Sequence, residues 1–334
     1  MTNLQKIILS FFIILIFSFI VFCISSFTNN SSLFKEDFFV IKEGETLKTV
    51  SQNLKDENFI KNSRIFYLFF FLSNDPRNIK AGTYKLSSSM SIFQIINDIV
   101  KGNVVKEKIT ILEGWTINDI ANYLEQKDIF TKEEFFDIAG ESGLNHPSKD
   151  FSNEFEFLKS KPSNLSLEGF LFPDTYYVNR NDTAEIIIKK MLSNFKLKVW
   201  DNVKNKDNFY NNLILASLVE KEVRGIKDKQ MISSILLKRL RNSLALQVDA
   251  TVIYAHEVEG SNSLFDTSID SPFNTYKYPG LPIGPISNPG IESIEAVLNP
   301  IENNYWYYLS AKDGTTIYSK NFEEHKYNKY LYLR

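Results

Sequence analysis

The run Leu213-Ile214-Leu215-Ala216-Ser217-Leu218-Val219-Glu220-Lys221-Glu222-Val223-Arg224-Gly225-Ile226 places two carboxyls two positions apart in a largely apolar stretch. Wound as a helix at about 100° per residue, it puts Leu215, Leu218, Val219 and Ile226 on one stripe. Glu222 falls inside that stripe, four residues after Leu218 and four before Ile226, whereas Glu220 projects to roughly the opposite side. The expectation is a solvated Glu220 and a Glu222 held among apolar neighbours. Burial disfavours the charged form, so such a carboxyl keeps its proton near neutrality. A general acid acting on a glycosidic oxygen needs that property. A structural glutamate paired with Arg224 or Arg239 produces the same local pattern.

Further polar candidates cluster downstream. Asp228 is placed to cap a helix carrying Met231, Ile232, Ile235, Leu236 and Leu240 inward. In Leu246-Gln247-Val248-Asp249-Ala250-Thr251-Val252-Ile253-Tyr254, Asp249 is placed either to cap the next helix or to act in a site. Residues 271–290 read SPFNTYKYPGLPIGPISNPG, whose five prolines and three glycines exclude regular helix or strand. Long loops of this kind are more often functional than not. Asn274, Tyr276 and Tyr278 suit a sugar ring, offering amide hydrogen bonds and apolar faces with hydroxyls. Upstream, Glu168 and Asp174 are the carboxylates available for a second role across a sugar. The three histidines, His146, His256 and His325, are far apart, and no metal site or cofactor is expected.

These residues must be positioned by short alternating elements. Ile41-Lys42-Glu43-Gly44-Glu45-Thr46-Leu47 repeats as Ile111-Leu112-Glu113-Gly114-Trp115-Thr116-Ile117, an offset of 70. Each copy continues at helical spacing, with Leu47, Val50 and Leu54 in the first and Ile117, Ile120 and Leu124 in the second. A strand should end at each Glu-Gly turn, and Thr46 or Thr116 should cap the helix that follows. Ala81-Gly82-Thr83-Tyr84 leads to a further helix with Ile92, Ile95, Ile96 and Ile99, capped by Ser89 or Ser91. Residues 140–165 are polar and irregular and read as a surface excursion, and a helix is expected across Thr183–Val199. The fold class is α+β. The strand-Gly-x-Thr-helix units resemble the LysM module, which implies glycan binding.

The N-terminus carries the longest apolar run. From Ile7 to Phe27 there is no charged residue. Twenty-one helical residues span roughly 31 Å, enough for a hydrocarbon core of about 30 Å. The run exceeds the 7–15 residues usual in a cleaved signal peptide, so a retained single-pass anchor is expected, with the N-terminus inside. The organisation that follows is a stub at 1–6, a transmembrane helix at 7–27, a linker at 28–37, a LysM-like strand-helix subdomain at 38–108 and a mixed α/β catalytic domain at 109–334. The single cysteine, Cys23, lies in the span, so the exported part must be held by its core. With 38 basic against 40 acidic residues there is no basic excess, and no nucleic-acid partner is expected.

The blocks Ala81–Tyr84, Leu167–Tyr176, Ala216–Glu222, Leu246–Tyr254 and Ser271–Gly290, in this order, resemble the membrane-anchored endolytic murein transglycosylases, the YceG-like (MltG) family. The resemblance implies cleavage of the β-1,4 bond between N-acetylmuramic acid and N-acetylglucosamine, leaving a 1,6-anhydro end. It implies Glu222, the second Glu of Glu-Lys-Glu, as the catalytic residue. Gln247, Asp249, Asn274, Tyr276 and Glu168 are the expected substrate contacts. It further implies peptidoglycan strands as substrate and peptidoglycan synthases as partners. The implied location is the inner membrane, with the catalytic part on the periplasmic side, where new strands emerge and are terminated. Two departures occur: Ala250 stands where the family usually has Pro, and Thr316 where it often has His, while His325 matches.

Overall fold

The computed structural model describes residues 36–143, 147, 149–179, 182–261 and 265–333. The apolar run 7–27, most of the linker and His146 lie outside the described residues. Among the described residues, no helix is long and apolar enough to cross a membrane. The chain divides into two compact units, the first reaching Glu107 with Tyr177–Asn181 added, the second formed by Lys108–Tyr176 and Asp182 onward. The architecture is mixed α+β, with short two-stranded sheets among the helices.

In the first unit, strand β1 (Glu36–Ile41) is followed by helices α1 (Leu47–Asp56) and α2 (Ser63–Ser73), strand β2 (Gly82–Ser87) and helix α3 (Ile92–Lys101). β1 and β2 are antiparallel, with Phe39 opposite Tyr84 and Ile41 opposite Gly82. The alternation of β1 turns Phe39 and Ile41 into a core with Leu47, Val50 and Leu54 of α1. Thr46 accepts from the Thr49 N–H at the start of α1, and Ser91, rather than Ser89, closes a reciprocal capping box with Gln94 at the start of α3.

The second unit opens within strand β3 (Lys106–Thr110), from Lys108, and carries the second copy of the repeat. The strand leads through Gly114, at φ +76°, to helix α4 (Ile117–Gln126). Its counterpart Gly44 has φ +81°, so both copies turn at a glycine in the left-handed region. Thr116 and Asp119 form the capping box of α4, whose Ile117, Ile120 and Leu124 are buried. Helix α5 (Lys132–Ala139) follows, then strand β4 (Thr175–Asn179). The predicted surface excursion at 140–165 is not one. Phe151, Phe155, Phe157, Leu158 and Leu165 are buried, and Glu156–Ser160 form a 3₁₀ turn. Phe157 packs on Phe170, Phe195 and Trp200 with ring centroids 4.9–6.0 Å apart. The polar residues between these aromatics obscure them because no regular period spaces them.

Helix α6 (Ala184–Lys198), capped by Thr183, supplies Phe195 to this aromatic core. Helices α7 (Phe209–Glu222), α8 (Ile226–Arg241) and α9 (Asp249–Val258) come next. The loop 271–290 leads to α10 (Ile291–Leu298), which packs on both α7 and α8. The chain closes with a hairpin of β5 (Tyr307–Ser310) and β6 (Thr316–Ser319) and with helix α11 (Phe322–Tyr332), which packs on that hairpin.

Candidate active site

Helix α7 is the central element. Every residue from Leu213 to Val219 is buried, so the helix has no solvent face along most of its length. Ser217, fully buried, accepts from the Ile286 N–H at 3.1 Å, while its carbonyl accepts from Ser287 Oγ at 3.2 Å. The Pro-rich loop is thereby stitched onto the helix. Glu222 is the last residue of α7; Val223 is already extended at φ −147°, and Ile226 begins α8.

Glu222 is buried, as its helical phase suggests, but Glu220 is not where that phase would place it. Glu220 is not solvated: its side chain is 8 % exposed and lies 3.2 Å from Lys229, itself 2 % exposed. Its other oxygen accepts from the Gly290 N–H at 2.9 Å and Ser293 Oγ at 2.7 Å, so it ties α7 to α8 and to the start of α10. Glu222 instead reaches the wall of a cleft of about 470 Å³, a volume in the range of ligand sites. There the Tyr308 hydroxyl donates to its carboxyl. Burial pushes the Glu222 carboxyl up to about 7; the nearby Asp249 adds to the rise and the Tyr308 hydrogen bond opposes it. At neutral pH a sizeable fraction of Glu222 therefore carries a proton.

Asp249 lines the same cleft. It is the first residue of α9 but not its cap: that position is Val248, with no side-chain bond. Its carboxylate accepts instead from the Tyr276 hydroxyl. Asp228 likewise does not cap α8, whose cap is Gly225. It lies in the first turn and accepts from Tyr318 at 2.6 Å and Thr316 at 3.3 Å, fastening the C-terminal hairpin. Thr316, at the position that departs from the family pattern, is thus occupied in holding this hairpin.

Gln247, at φ +53°, and Tyr276 also line the cleft. Arg239, nearly buried, donates to the Leu246 carbonyl at 2.8 Å and to Gln247 Oε1 at 3.5 Å. Its guanidinium lies 5.1 Å from the Tyr307 ring centroid. Arg239 is therefore directed to the loop before α9 rather than serving as the ion-pair partner of Glu222.

Asn274 and Glu168 are placed elsewhere. Asn274 is buried: its amide donates to the Thr267 and Ile269 carbonyls, and its oxygen accepts from the Tyr276 and Lys277 N–H groups. It shapes the turn that presents Tyr276. Glu168 is buried and accepts from the Ile117 N–H, Ser142, Tyr254 and Asn288. Burial pushes its carboxyl up to about 8 against the pull of those donors. Asn288 also accepts from the Gly169 and Leu171 N–H groups, so this cluster locks the loop 271–290 to the segment after α5. Asp174 engages Lys198 at 2.6 Å and Asn194 at 2.7 Å. Neither Glu168 nor Asp174 lines the cleft.

The sequence reading did not single out Tyr307 and Tyr308 of β5, or Phe322 and Lys329 of α11, which form one wall. The aromatic run Tyr305-Trp306-Tyr307-Tyr308 is the signal that could have drawn attention to it. Tyr307 stacks on His325 at 5.1 Å and meets Phe322 at 5.9 Å, an aromatic group of the kind that packs on sugar faces. Glu222 and Asp249 also line a second depression, together with Thr116, Ala250, Ile253, Tyr254 and Glu257. Glu222 is thus shared by two adjoining hollows.

Residues 39–330 match the profile of the YceG-like family. The chain belongs to the YceG-like family. It is 32% identical over 302 residues to a Bacillus subtilis protein named endolytic murein transglycosylase, covering 88% of this chain and 84% of that one. It is 31% identical over 313 residues to a Streptococcus pneumoniae protein of the same name, with 86% of this chain and 57% of that one covered. Among solved structures, a yceG-like protein of Listeria monocytogenes superposes with a TM-score of 0.52 at 29% identity, over 88% of this chain and 99% of that one.

Proposed function

We propose that this YceG-like protein is a peptidoglycan lytic transglycosylase that cuts glycan strands internally, with Glu222 acting first as acid and then as base. The observation that carries the reading is the placement of Glu222: a carboxyl poised near 7 by burial, at a helix end, lining two adjoining depressions. The names and identities of the relatives support the same reading.

Protonated Glu222 donates to the glycosidic oxygen, the C1–O bond of the muramic acid breaks, and the glucosamine leaves with a 4-hydroxyl. The carboxylate then takes the proton of the C6 hydroxyl as that oxygen bonds to C1. The product end is 1,6-anhydromuramic acid; no water is consumed, and Glu222 ends protonated, as it began. Gln247, Asp249 and Tyr276 contact the sugars, while Asn274 and Glu168 hold the walls that carry them.

In this reading the segment 7–27 anchors the chain in the cytoplasmic membrane, with 109–334 catalytic on the outer side. The part from 38 to 108 is a LysM-like glycan-binding subdomain, a reading supported by its strand, Gly44 turn and Thr46-capped helix. Working beside peptidoglycan synthases, the enzyme ends the growth of nascent strands.

The test is mass spectrometry of products from purified glycan strands, using the full chain and Glu222→Gln. Anhydromuramic ends that vanish with the variant are expected. Reducing ends would overturn the lyase reading and point to a hydrolase in which Asp249, the carboxylate that shares the cleft, activates water.

A further inference from the structure

Helix α2 is apolar on every side. From Ile65 to Leu72 each side chain is Ile, Phe, Tyr or Leu, and no charge occurs between Arg64 and Asp75. A helix hydrophobic all round is normally enclosed by protein or lipid. Here one side is: Phe66 and Phe70 are fully buried in the first unit's core. On the other side Tyr67 is 41 % exposed, Leu68 52 %, Phe71 56 % and Leu72 71 %. At 3.6 residues per turn these four fall within an arc of about 140°. Tyr67 and Phe71 stack with planes 6° apart, gathering the rings into one ridge. Phe93 of α3, 48 % exposed, meets Phe69 edge-on at 5.4 Å and widens the patch. Soluble surfaces rarely leave a contiguous patch of this kind uncovered. Arg64, exposed, lies on the same arc one turn nearer the helix start.

The tether says what covers this face. Eight residues separate Phe27, the end of the apolar run, from Glu36, the start of β1. At 3.3–3.6 Å per step, the nine steps from Phe27 to Glu36 reach at most about 32 Å. A unit of roughly 70 residues has a radius of gyration near 11 Å. No face of the first unit is therefore beyond reach of the bilayer. An apolar ridge with a cation at one end suits the boundary between acyl chains and anionic headgroups.

We infer that α2 lies on the membrane surface, with Tyr67, Leu68, Phe71 and Leu72 entering the acyl boundary and Arg64 among the headgroups, so that the chain holds the bilayer at two places. The inference rests on reading 7–27 as a membrane span. The experiment uses the full chain with Cys23→Ser and a single new cysteine, Leu72→Cys or, as a control on the exposed side of α1, Lys48→Cys. Each is labelled with the environment-sensitive fluorophore NBD and reconstituted into phosphatidylethanolamine–phosphatidylglycerol vesicles, with and without lipid carrying a shallow nitroxide. The expected result is blue-shifted emission at position 72, quenched several-fold more strongly by the nitroxide lipid than emission at position 48. Adding Leu68→Glu and Phe71→Glu should return the label at 72 to water-like emission. Equal, water-like emission at both positions in protein that floats with the vesicles after alkaline extraction overturns the inference alone. Protein that fails to float overturns the span and the inference with it. A blue shift that lipid nitroxides do not quench, and that fades as protein is diluted in lipid, assigns the face to a second copy and also overturns it.

Discussion

At the scale of single residues, the chemistry turns on what surrounds one carboxyl. A general acid works only while protonated, so kcat/KM should fall as pH rises through the Glu222 value of about 7. Its two polar neighbours act in opposite senses. The Tyr308 hydrogen bond favours the carboxylate, so Tyr308→Phe should raise the Glu222 pKa and move the alkaline limb to higher pH. Asp249 opposes the carboxylate, so Asp249→Asn should move the limb to lower pH. For Tyr308→Phe a shift of about one to two pH units is expected, since a hydrogen bond to a charged group is worth about 1.5–3 kcal/mol and one unit is about 1.4. pH–rate profiles of both variants check this, and limbs that do not move would remove Glu222 as the titrating acid. The burial of Glu222 was legible in the sequence, but the groups around it were not. The helical phase compared Glu220 and Glu222 as though the helix ran on to Ile226; it ends at Glu222, and Ile226 belongs to α8. Glu220 lies instead on the side of α7 that meets α8 and the start of α10, where Lys229 neutralises it.

Elements were legible where local chemistry decides them. Both copies of the repeat form a strand, a glycine turn and a threonine-capped helix because each signal acts within a few residues. The anchoring of α8, α9 and the loop 271–290 depends on partners far along the chain, which no local pattern displays. Two of those anchors give predictions. Lys229→Met leaves Glu220 charged and buried without its cation, and should lower unfolding free energy by about 3–5 kcal/mol. Combining it with Glu220→Gln should restore part of that loss; urea unfolding of the four proteins completes the cycle. Glu168→Ala strands the Ile117 N–H and one of the two Nδ2 hydrogens of Asn288, the other still donating to the Trp115 carbonyl, and should cost about 2–4 kcal/mol. Because Asn288 fixes the end of the loop, cleavage by this variant should fall further than its loss of fold at 25 °C explains. The cleavage rate per folded molecule, with the folded fraction taken from circular dichroism, measures the difference. Equal losses would confine Glu168 to global stability.

At the scale of the molecule, the groove decides how a polymer is met. Glu222 and Asp249 border both depressions, which serve here as the two arms of the groove. One is aromatic and cationic, with Tyr307, Phe322 and Lys329; the other carries Thr116, Ile253 and Glu257. A strand that occupies both arms places sugars on either side of the broken bond, whereas a site closed at one end would release units from a terminus. The expected signature is an early fall in mean strand length, with few short products, when size-fractionated glycans are followed by chromatography. Filling the second arm should change that pattern more than it changes the chemistry. Ile253 is half-exposed at its mouth, so Ile253→Trp adds bulk without entering the core. It should raise KM for long strands several-fold, because a clash outside the reacting centre weakens substrate and transition state alike and leaves kcat nearly unchanged. If the variant instead lowers kcat at unchanged KM, the second arm is part of the reacting centre rather than a track for the strand.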